Sequence, residues 1–479
     1  MGEKLTRREF LQASAAGGAV LLGSARLLAE AGAPKRTVVI SPGCRRSKVK
    51  VAKIYMGIPG AHWPTPRLDL KEEMEKYEAE FARMKKDFAD VDFVVNELVT
   101  SAQQLQGLKE KMAAADGILA IHLSMGGASS LLGGILSAGR PTMLFAAPYS
   151  GHEWTGFGGW RNAKEGALLE CLLTSDTNEL AVAIRPFRAI HHLREAKILD
   201  VTTRDITNYA NAVKEKFGTE MKKISREQVL DAYNSIPDAE AKAEAKRWID
   251  GADKVVEPSD DEIFRSLKLA LAFEKLLNDE DATMITVDCY GTMWDRTILL
   301  PAYPCLGHAR LNNMGLGGMC ESDLQSAMTQ ILFQGIAGKP GFCNDPTMDM
   351  SKNAIVLAHC MGTPKMDGPD GETERYRLRC VMERQEGAVC QVFMKVGKKT
   401  TTAELLGTDL LLYFTGDIIE TPDLPRGCRT KITVKVDGDA EKLWQNWSHG
   451  LHRTTCYGDL TKDLKRFCRF KAIKMVNEA

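Results

Sequence analysis

The feature that most constrains the fold is an alternation of two hydrophobic periods along the first half of the chain. Between Arg36 and Ser150, short apolar runs rich in β-branched residues alternate with charged segments of helical spacing. The predicted strands are Val38–Ser41, Phe93–Val99, Ile118–Leu123 and Met143–Pro148, and the predicted helices are Leu70–Phe88, Ala102–Ala114 and Ser129–Ser137. Such alternation predicts a parallel sheet with helices on both faces.

A second unit of the same kind follows. Helices are predicted after Glu179 and over Arg226–Asp250 and Asp260–Leu277, with strands at Ala196–Val201 and Met284–Val287. Beyond Gly362 the helical spacing stops until Ala440, and the predicted strands are Tyr376–Glu383, Ala388–Val396, Thr400–Leu405, Leu410–Ile419 and Arg429–Val436. The predicted class is α/β, with two Rossmann-like parallel-sheet domains, 34–165 and 166–340, and a C-terminal antiparallel, barrel-like β domain, 341–479.

Composition excludes several classes of function. Because 63 basic and 63 acidic residues cancel, the chain is not expected to bind nucleic acid or to act as a polybasic membrane binder. It has no apolar run of about 18 residues, so no membrane span is predicted. The 12 cysteines are scattered without a Cys-x-x-Cys pair. A zinc ribbon is therefore not expected, and several cysteines are predicted to be small buried hydrophobes: Cys289, Cys320, Cys343 and Cys360.

The N-terminus resembles an export signal. A paired arginine, Arg7-Arg8, precedes a mildly apolar, small-residue run from Ala13 to Leu28. This pattern is typical of a twin-arginine signal, and an ordinary basic amphipathic terminus is the alternative. We predict a signal peptide over residues 1–33, with Ala29 or Ala33 before the cleavage site, and export of the folded protein to the periplasm. Export in the folded state favours a protein that loads a metal or cofactor beforehand.

The stretch from Gly318 to Cys360 carries the candidate chemistry. Glu321 opens an apolar run of helical spacing that Gly338 ends. Asp345 follows in a predicted loop before Pro346, and a short strand, Ala354–Leu357, leads to His359. Two carboxylates and one imidazole suit Mn²⁺, or Mg²⁺ or Co²⁺, better than copper or a structural zinc. The alternative is structural, with Glu321 as a helix-start residue and Asp345 as a turn acid.

A second candidate segment runs from His152 to Trp160, where aromatic residues alternate with glycines. We predict a loop there, and Trp154 could stack on the face of a sugar. A packed hairpin or domain junction would produce the same pattern. Neither a GxGxxG nor a Walker pattern occurs in the chain, so a dinucleotide or nucleoside triphosphate is not expected as a ligand.

An ordered set of motifs over residues 284–470 resembles the L-fucose isomerase and L-arabinose isomerase superfamily. The motifs are Cys289-Tyr290, Gly318-x-Cys320-Glu321-x-Asp323, Gly338-Lys339-Pro340, Asp345-Pro346, His359-Cys360, Thr415-Gly416, Gly427-Cys428-Arg429-Thr430, His452-Arg453 and Tyr457-Gly458-Asp459. The resemblance implies the three-domain arrangement predicted above. It also implies Mn²⁺-dependent interconversion of an aldose and a ketose, in a homo-trimer or homo-hexamer whose neighbouring N-terminal domain closes each site.

The resemblance assigns roles to individual residues. It implies that Glu321, Asp345 and His452 bind the metal, and that the two carboxylates move a proton between C1 and C2 through a cis-enediol. His452 is preferred to His449 because histidine-arginine precedes Tyr457-Gly458-Asp459. The residues predicted to line the substrate pocket are His359, Tyr290 and Trp154.

Two other functions stay open at the level of sequence. One is an epimerase or another enolising enzyme that acts on a modified sugar with the same metal site. The other is a non-catalytic periplasmic sugar-binding protein, because two α/β lobes behind an export signal also suit a receptor. A receptor needs no convergence of Glu321, Asp345 and His452 at one point, so their geometry distinguishes the two classes.

Overall fold

The computed structural model describes Thr37 and residues 39–294 and 296–479. The predicted signal peptide lies outside these residues. Among the helices of the described residues, none combines the length and the apolar character that crossing a bilayer requires.

The first sheet is parallel and has five strands in the order β2-β1-β3-β4-β5. Its strands are β1 Val49–Met56, β2 Val91–Val99, β3 Gly117–His122, β4 Thr142–Ala146 and β5 Leu169–Leu173. The helices are α1 Leu70–Arg83, α2 Ala102–Ala113, α3 Gly127–Leu136 and α4 Trp154–Asn162, with 3₁₀ turns at Lys85–Phe88 and Lys164–Leu168. β1 and β3 are buried almost throughout, as expected of strands with helices on both faces.

Two local predictions in this unit are wrong. Residues 39–41 form only an isolated bridge between Ser41 and Cys44, and the first strand is β1. The apolar pattern of β1 is interrupted by Lys53, whose buried ammonium lies 2.6 Å from Glu78 Oε1. The predicted loop at 152–160 is mostly helix α4. Packing overrides the poor helix propensity of its glycines, because the Trp160 ring lies against Gly133 of α3 so closely that a Cβ there would be 2.9 Å away.

The second sheet is parallel and has the order β10-β9-β6-β7. Its strands are β6 Lys197–Val201, β7 Glu220–Lys223, β9 Met284–Val287 and β10 Gly317–Cys320; the short β8, Lys254–Val255, pairs elsewhere. The helices are α5 Glu179–Ala183, α6 Arg185–Glu195, α7 Thr207–Phe217, α8 Arg226–Ser235, α9 Asp238–Gly251, α10 Asp260–Asp279, α11 Cys289–Met293, α12 Cys305–Asn313 and α13 Leu324–Ala337. The sequence analysis did not predict β10, because half of its residues are glycine. A Cβ on Gly318 would lie 2.3 Å from His308 Cα, so glycine lets α12 pack against this strand.

The C-terminal part forms a closed antiparallel barrel of six strands in the order β15-β18-β11-β12-β17-β16, closed by pairing of β15 with β16. These strands are β11 Phe342–Asp349, β12 Ala354–His359, β15 Lys399–Leu406, β16 Leu410–Glu420, β17 Thr430–Val436 and β18 Arg453–Tyr457. A smaller sheet joins β8 to β13 Tyr376–Val381 and β14 Glu386–Val392. The remaining elements are a 3₁₀ turn at Met350–Lys352, α14 Ala440–Asn446, α15 Thr461–Phe470 and β19 Lys474–Asn477, which pairs with β16. Parallel sheets followed by an antiparallel barrel are therefore confirmed.

Helix α13 connects the second sheet to the barrel. Every residue from Ser326 to Ile336 is buried, and the Thr329 hydroxyl accepts a hydrogen bond from the Leu405 amide of β15, 2.8 Å away. The helix is therefore held from both sides. This packing fixes the short turn of residues 321–323 between β10 and α13, which carries the first of the candidate site residues.

Candidate metal and catalytic centre

Glu321 lies in a strained turn just after β10. Both Glu321 and Ser322 have left-handed backbone, with φ of 63° and 52°, a conformation that residues other than glycine rarely adopt. The Ser322 hydroxyl donates to Asp200 Oδ1 at 2.6 Å, and its amide donates to the Val287 carbonyl at 3.0 Å. Glu321 therefore does not open the helix as predicted, because Asp323 is the N-cap residue. Strain of this kind is typical of functional sites.

Asp345 lies within strand β11, opposite Ala358 of β12, and not in a loop as predicted. The following residue, Pro346, misled the prediction because proline is rare inside sheets. Among the described strands, β18 pairs with β11 only as far as Asn344, so β11 tolerates a proline beyond that point. His359 is the last residue of β12, as predicted, and His452 precedes β18. The barrel strands therefore supply three of the predicted side chains.

Four predicted residues converge at one point. Glu321 Oε1 lies 3.5 Å from His359 Nε2, and Glu321 Oε2 lies 3.6 Å from His452 Nε2. Asp345 Oδ1 lies 3.2 Å from His452 Nε2. Ligand atoms about 2.1 Å from a shared ion are about 3.0–3.5 Å apart for octahedral to tetrahedral angles. Each of these three pairs of carboxylate and imidazole atoms therefore has the spacing of two ligands on one divalent cation.

The other ring nitrogen of His452, Nδ1, already has a hydrogen-bond partner. Nδ1 lies 2.8 Å from Asp323 Oδ2, and because a carboxylate only accepts, Nδ1 carries the proton and Nε2 faces Glu321 and Asp345. Asp323 is itself held by the Ser326 hydroxyl and by two helix amides. A carboxylate behind a histidine is the usual arrangement that orients a metal ligand and raises its basicity.

Three polar atoms at this point lack partners. Among the described residues, none forms an aligned hydrogen bond with His452 Nε2, Asp345 Oδ1 or His359 Nδ1, although all three atoms are buried. His452 Nε2 and Asp345 Oδ1 are close but misaligned for a hydrogen bond to each other. Leaving such atoms unsatisfied is unfavourable, and a cation between them would satisfy both. The donor set of two carboxylates and one or two imidazoles fits Mn²⁺, Mg²⁺ or Co²⁺.

The electrostatics agree with a cation at this point. Burial would raise the pKa of Asp345, but His452 and His359 outweigh it and lower the pKa, so the carboxylate stays ionised. Burial would lower the pKa of His452, whereas nearby Cys343 and the carboxylates of Asp323 and Asp345 raise it. The anionic surroundings of His452 Nε2 thus favour positive charge there, either as a proton or as a metal ion.

Two cavities flank the converging residues, and Glu321 lines both. The smaller, about 190 Å³, is also lined by Tyr290, Asp345 and His359. The Glu321 carboxylate raises the pKa of Tyr290, so the phenol keeps its proton at neutral pH. The larger, about 550 Å³, lies on the side of His452, and its volume is within the range of pockets that hold small molecules.

The larger cavity contains a residue that sequence reasoning missed. Arg204 follows strand β6, and its guanidinium donates to the Glu321 carbonyl and lies 3.3 Å from Asp288 Oδ2. The signal that could have found it is its position, since ligands bind at the carboxyl ends of parallel strands. The lining of this cavity also includes the polar side chains of Asp205, Tyr209, Ser322, Asp323 and Gln325. They suit a ligand rich in hydroxyl groups.

Two other residues considered in the sequence analysis, Trp154 as pocket-lining and His449 as the rival of His452, lie apart from this cluster. Trp154, on α4 beside the first sheet, is 62% exposed and is not among the described residues that line either cavity. His449 is exposed and is likewise absent from both linings, whereas His452 is buried in the cluster. The structure thus brings Glu321, Asp345, His452 and His359 together, with Tyr290 in the adjoining cavity wall.

No family model matches the chain, and no curated protein matches it.

Proposed function

We propose that the chain is a metal-dependent aldose–ketose isomerase that acts on a small sugar through a cis-enediol. The observation that carries the proposal is the convergence of Glu321, Asp345 and His452 Nε2 on one point, with the Asp323 carboxylate behind the imidazole. Mn²⁺ is the proposed cofactor, with Mg²⁺ or Co²⁺ as substitutes. Such an ion, when bound, polarises adjacent substrate oxygens.

We also propose the domain organisation, the compartment and the oligomeric state that the sequence analysis predicts. The two parallel-sheet units are proposed to be Rossmann-like domains of residues 34–165 and 166–340, before a β domain of residues 341–479. The protein is proposed to work in the periplasm as a homo-trimer or homo-hexamer. The convergence of the carboxylates and the imidazole supports an enzyme over a sugar receptor, because a receptor needs no such set.

Two carboxylates and one phenol of this chain have separate roles in the proposed proton transfer. An ionised carboxylate within reach of the carbon beside a carbonyl can take its proton and return it to the neighbouring carbon. Glu321, between the two histidines, and Asp345, whose pKa is lowered, are the two bases that we propose. Tyr290 is the nearby protonated group that can donate a hydrogen bond to a substrate oxygen.

The proposal predicts the effect of removing the charge behind His452. Asp323→Asn is expected to weaken Mn²⁺ binding by about 10–100-fold, because the amide no longer fixes the Nδ1–H tautomer or raises the basicity of Nε2. Titration calorimetry with Mn²⁺ measures the affinity. Asp370→Asn is the matched control, since Asp370 is exposed. Equal Mn²⁺ affinity in the Asp323→Asn variant and the wild type would show that Asp323 does not orient a ligand.

The reaction is tested with the metal-stripped protein, with and without added Mn²⁺. A panel of pentoses, hexoses and 6-deoxy sugars is followed by NMR in D₂O. The expected result is Mn²⁺-dependent conversion of one aldose–ketose pair, with deuterium entering at C1 or C2. Conversion between epimers would favour the epimerase alternative. Binding of Mn²⁺ with no exchange on any sugar would reject isomerisation of simple sugars.

A further inference from the structure

The 190 Å³ cavity is rich in thiols. Five cysteines contribute to its lining: Cys289, Cys305, Cys320, Cys360 and Cys428. They come from segments that are far apart in sequence, so their meeting is a product of the fold. The proposed isomerase chemistry uses none of them, and hard cations such as Mn²⁺ prefer oxygen and imidazole ligands.

Two of these cysteines share a carboxylate. Cys360 Sγ lies 3.4 and 3.3 Å from the two carboxylate oxygens of Glu383, and Cys428 Sγ lies 3.4 Å from Glu383 Oε1. Ligand atoms of all three residues lie within 4.8 Å of one another. Cys360 follows β12, Glu383 lies between β13 and β14, and Cys428 precedes β17. Three separate segments of the barrel and its small sheet therefore present these atoms to one point.

The spacing fits a tetrahedral cation of borderline softness. With Zn–S bonds of about 2.3 Å and Zn–O bonds of about 2.1 Å, tetrahedral angles place sulfur and oxygen about 3.6 Å apart and the two sulfurs about 3.8 Å apart. The sulfur–oxygen distances of 3.3–3.4 Å are within a few tenths of an ångström of this value. The two sulfurs lie within 4.8 Å of each other, so bringing them to about 3.8 Å requires a shift of at most about 1 Å.

The cluster also has a path to solvent. Cys360 is buried, Cys428 is half-buried and Glu383 is exposed. All three residues line the cavity that Tyr290 and Glu321 also line. A cation held by three protein atoms would thus keep a fourth position open, which is the pattern of reactive zinc sites and not of closed structural ones.

We propose that Cys360, Cys428 and Glu383 form a second metal site, which takes Zn²⁺ through two thiolates and one carboxylate. The site shares no residue with the oxygen-rich centre, although both line the same cavity, and the two donor sets differ in softness. Zn²⁺ occupies the thiolate site, and Mn²⁺ occupies the centre of Glu321, Asp345 and His452. The proposal does not depend on isomerase activity, since its test measures metal binding.

The test uses the full-length protein, reduced and stripped of metal. Zn²⁺ is titrated in competition with a chromophoric chelator, and Co²⁺ is then added in place of Zn²⁺. One Zn²⁺ ion that competes with the chelator per chain is expected at the thiolate site, together with a sulfur-to-cobalt charge-transfer band. Cys428→Ser and Glu383→Gln are each expected to lower the Zn²⁺ affinity by about 100-fold or more and to leave Mn²⁺ affinity unchanged.

The controls separate this site from accidental binding. Cys171→Ala removes a thiol of the first sheet outside the cluster and is expected to change neither affinity. Because Glu383 is exposed, Glu383→Gln keeps the test valid if a cysteine variant fails to fold. Unchanged Zn²⁺ affinity in the Cys428→Ser and Glu383→Gln variants would overturn the proposal. A disulfide-linked Cys360–Cys428 peptide from the protein as isolated would also overturn it.

Discussion

Glu321→Gln is expected to abolish Mn²⁺-dependent turnover and to weaken Mn²⁺ binding by about 100-fold or more, or about 2.7 kcal/mol. The two carboxylate oxygens face different histidines, 3.5 Å from His359 Nε2 and 3.6 Å from His452 Nε2. A neutral amide is a weaker ligand for a hard cation, and it cannot accept the proton that enolisation releases. Asp345→Asn is expected to have the same effect for the same reasons.

These losses should occur without a change of fold. Glu321 and Asp345 are each only partly buried, with side-chain exposures of 20% and 31%. Circular dichroism and thermal melting of the metal-free variants measure the fold, calorimetry measures Mn²⁺ affinity, and the sugar assay measures turnover. Glu372→Gln is the control, since Glu372 is 87% exposed. Wild-type turnover in either site variant would reject the proposed catalytic role.

The largest expected effect on stability is that of Glu478→Gln. The Glu478 carboxylate accepts two hydrogen bonds from Arg453, of 3.0 Å from Nε and 2.8 Å from Nη2, and both side chains are at most 1% exposed. Removing one charge of such a buried pair destabilises a protein by about 3–5 kcal/mol. For unfolding as one unit, this corresponds to a melting temperature lower by about 3–5 °C.

The same ion pair supports the candidate centre. Arg453 immediately follows His452 and donates to the His452 carbonyl at 2.9 Å. Glu478→Gln is therefore also expected to weaken Mn²⁺ binding, although less than Glu321→Gln does. Calorimetric melting of the metal-free protein measures the stability, with Glu441→Gln on the exposed face of α14 as the control. An unchanged melting temperature would show that the Arg453 charge is compensated by other groups.

Hydrophobic periodicity was sufficient to predict that parallel sheets come first along the chain and that an antiparallel barrel follows them. It failed where a local pattern was broken for a reason that lies elsewhere in the fold. Lys53 interrupts the first strand because Glu78 from α1 neutralises it there. β10 was not predicted as a strand because it contains glycine, which close packing of α12 requires at position 318. Helix α4 forms in spite of its own glycines, and its Trp160 ring packs against Gly133 of α3. Each exception is set by a neighbour distant in sequence, which no window of residues can contain.

Only part of the candidate site could be predicted from the sequence, because the rest depends on contacts between residues that are distant in the chain. Glu321, Asp345 and His359 were named from their places beside predicted helices and strands, and His452 from the resemblance in its motif. The structure brings all four together. Asp323 was quoted only as part of the motif at 318–323 and was given no role, because the helix start was assigned to Glu321 instead. Its role behind His452 is visible only in three dimensions.

The thiol cluster could not be identified from the spacing of its residues along the sequence. Cys360, Glu383 and Cys428 are separated by 23 and 45 residues, far from the short spacing that identifies a zinc ribbon. In the sequence, Cys360 is predicted to be a small buried hydrophobe. Only barrel closure and the sheet of β13 and β14 bring the sulfur and carboxylate atoms to one point.

The metal centre is tested by anomalous diffraction from crystals grown with Mn²⁺. One strong manganese peak is expected about 2.0–2.4 Å from Glu321, Asp345 and His452 Nε2. Asp323 should remain hydrogen-bonded to the other nitrogen of His452. A peak only at Cys360, Glu383 and Cys428, or no peak at all with Mn²⁺ in large excess, would contradict the proposed centre.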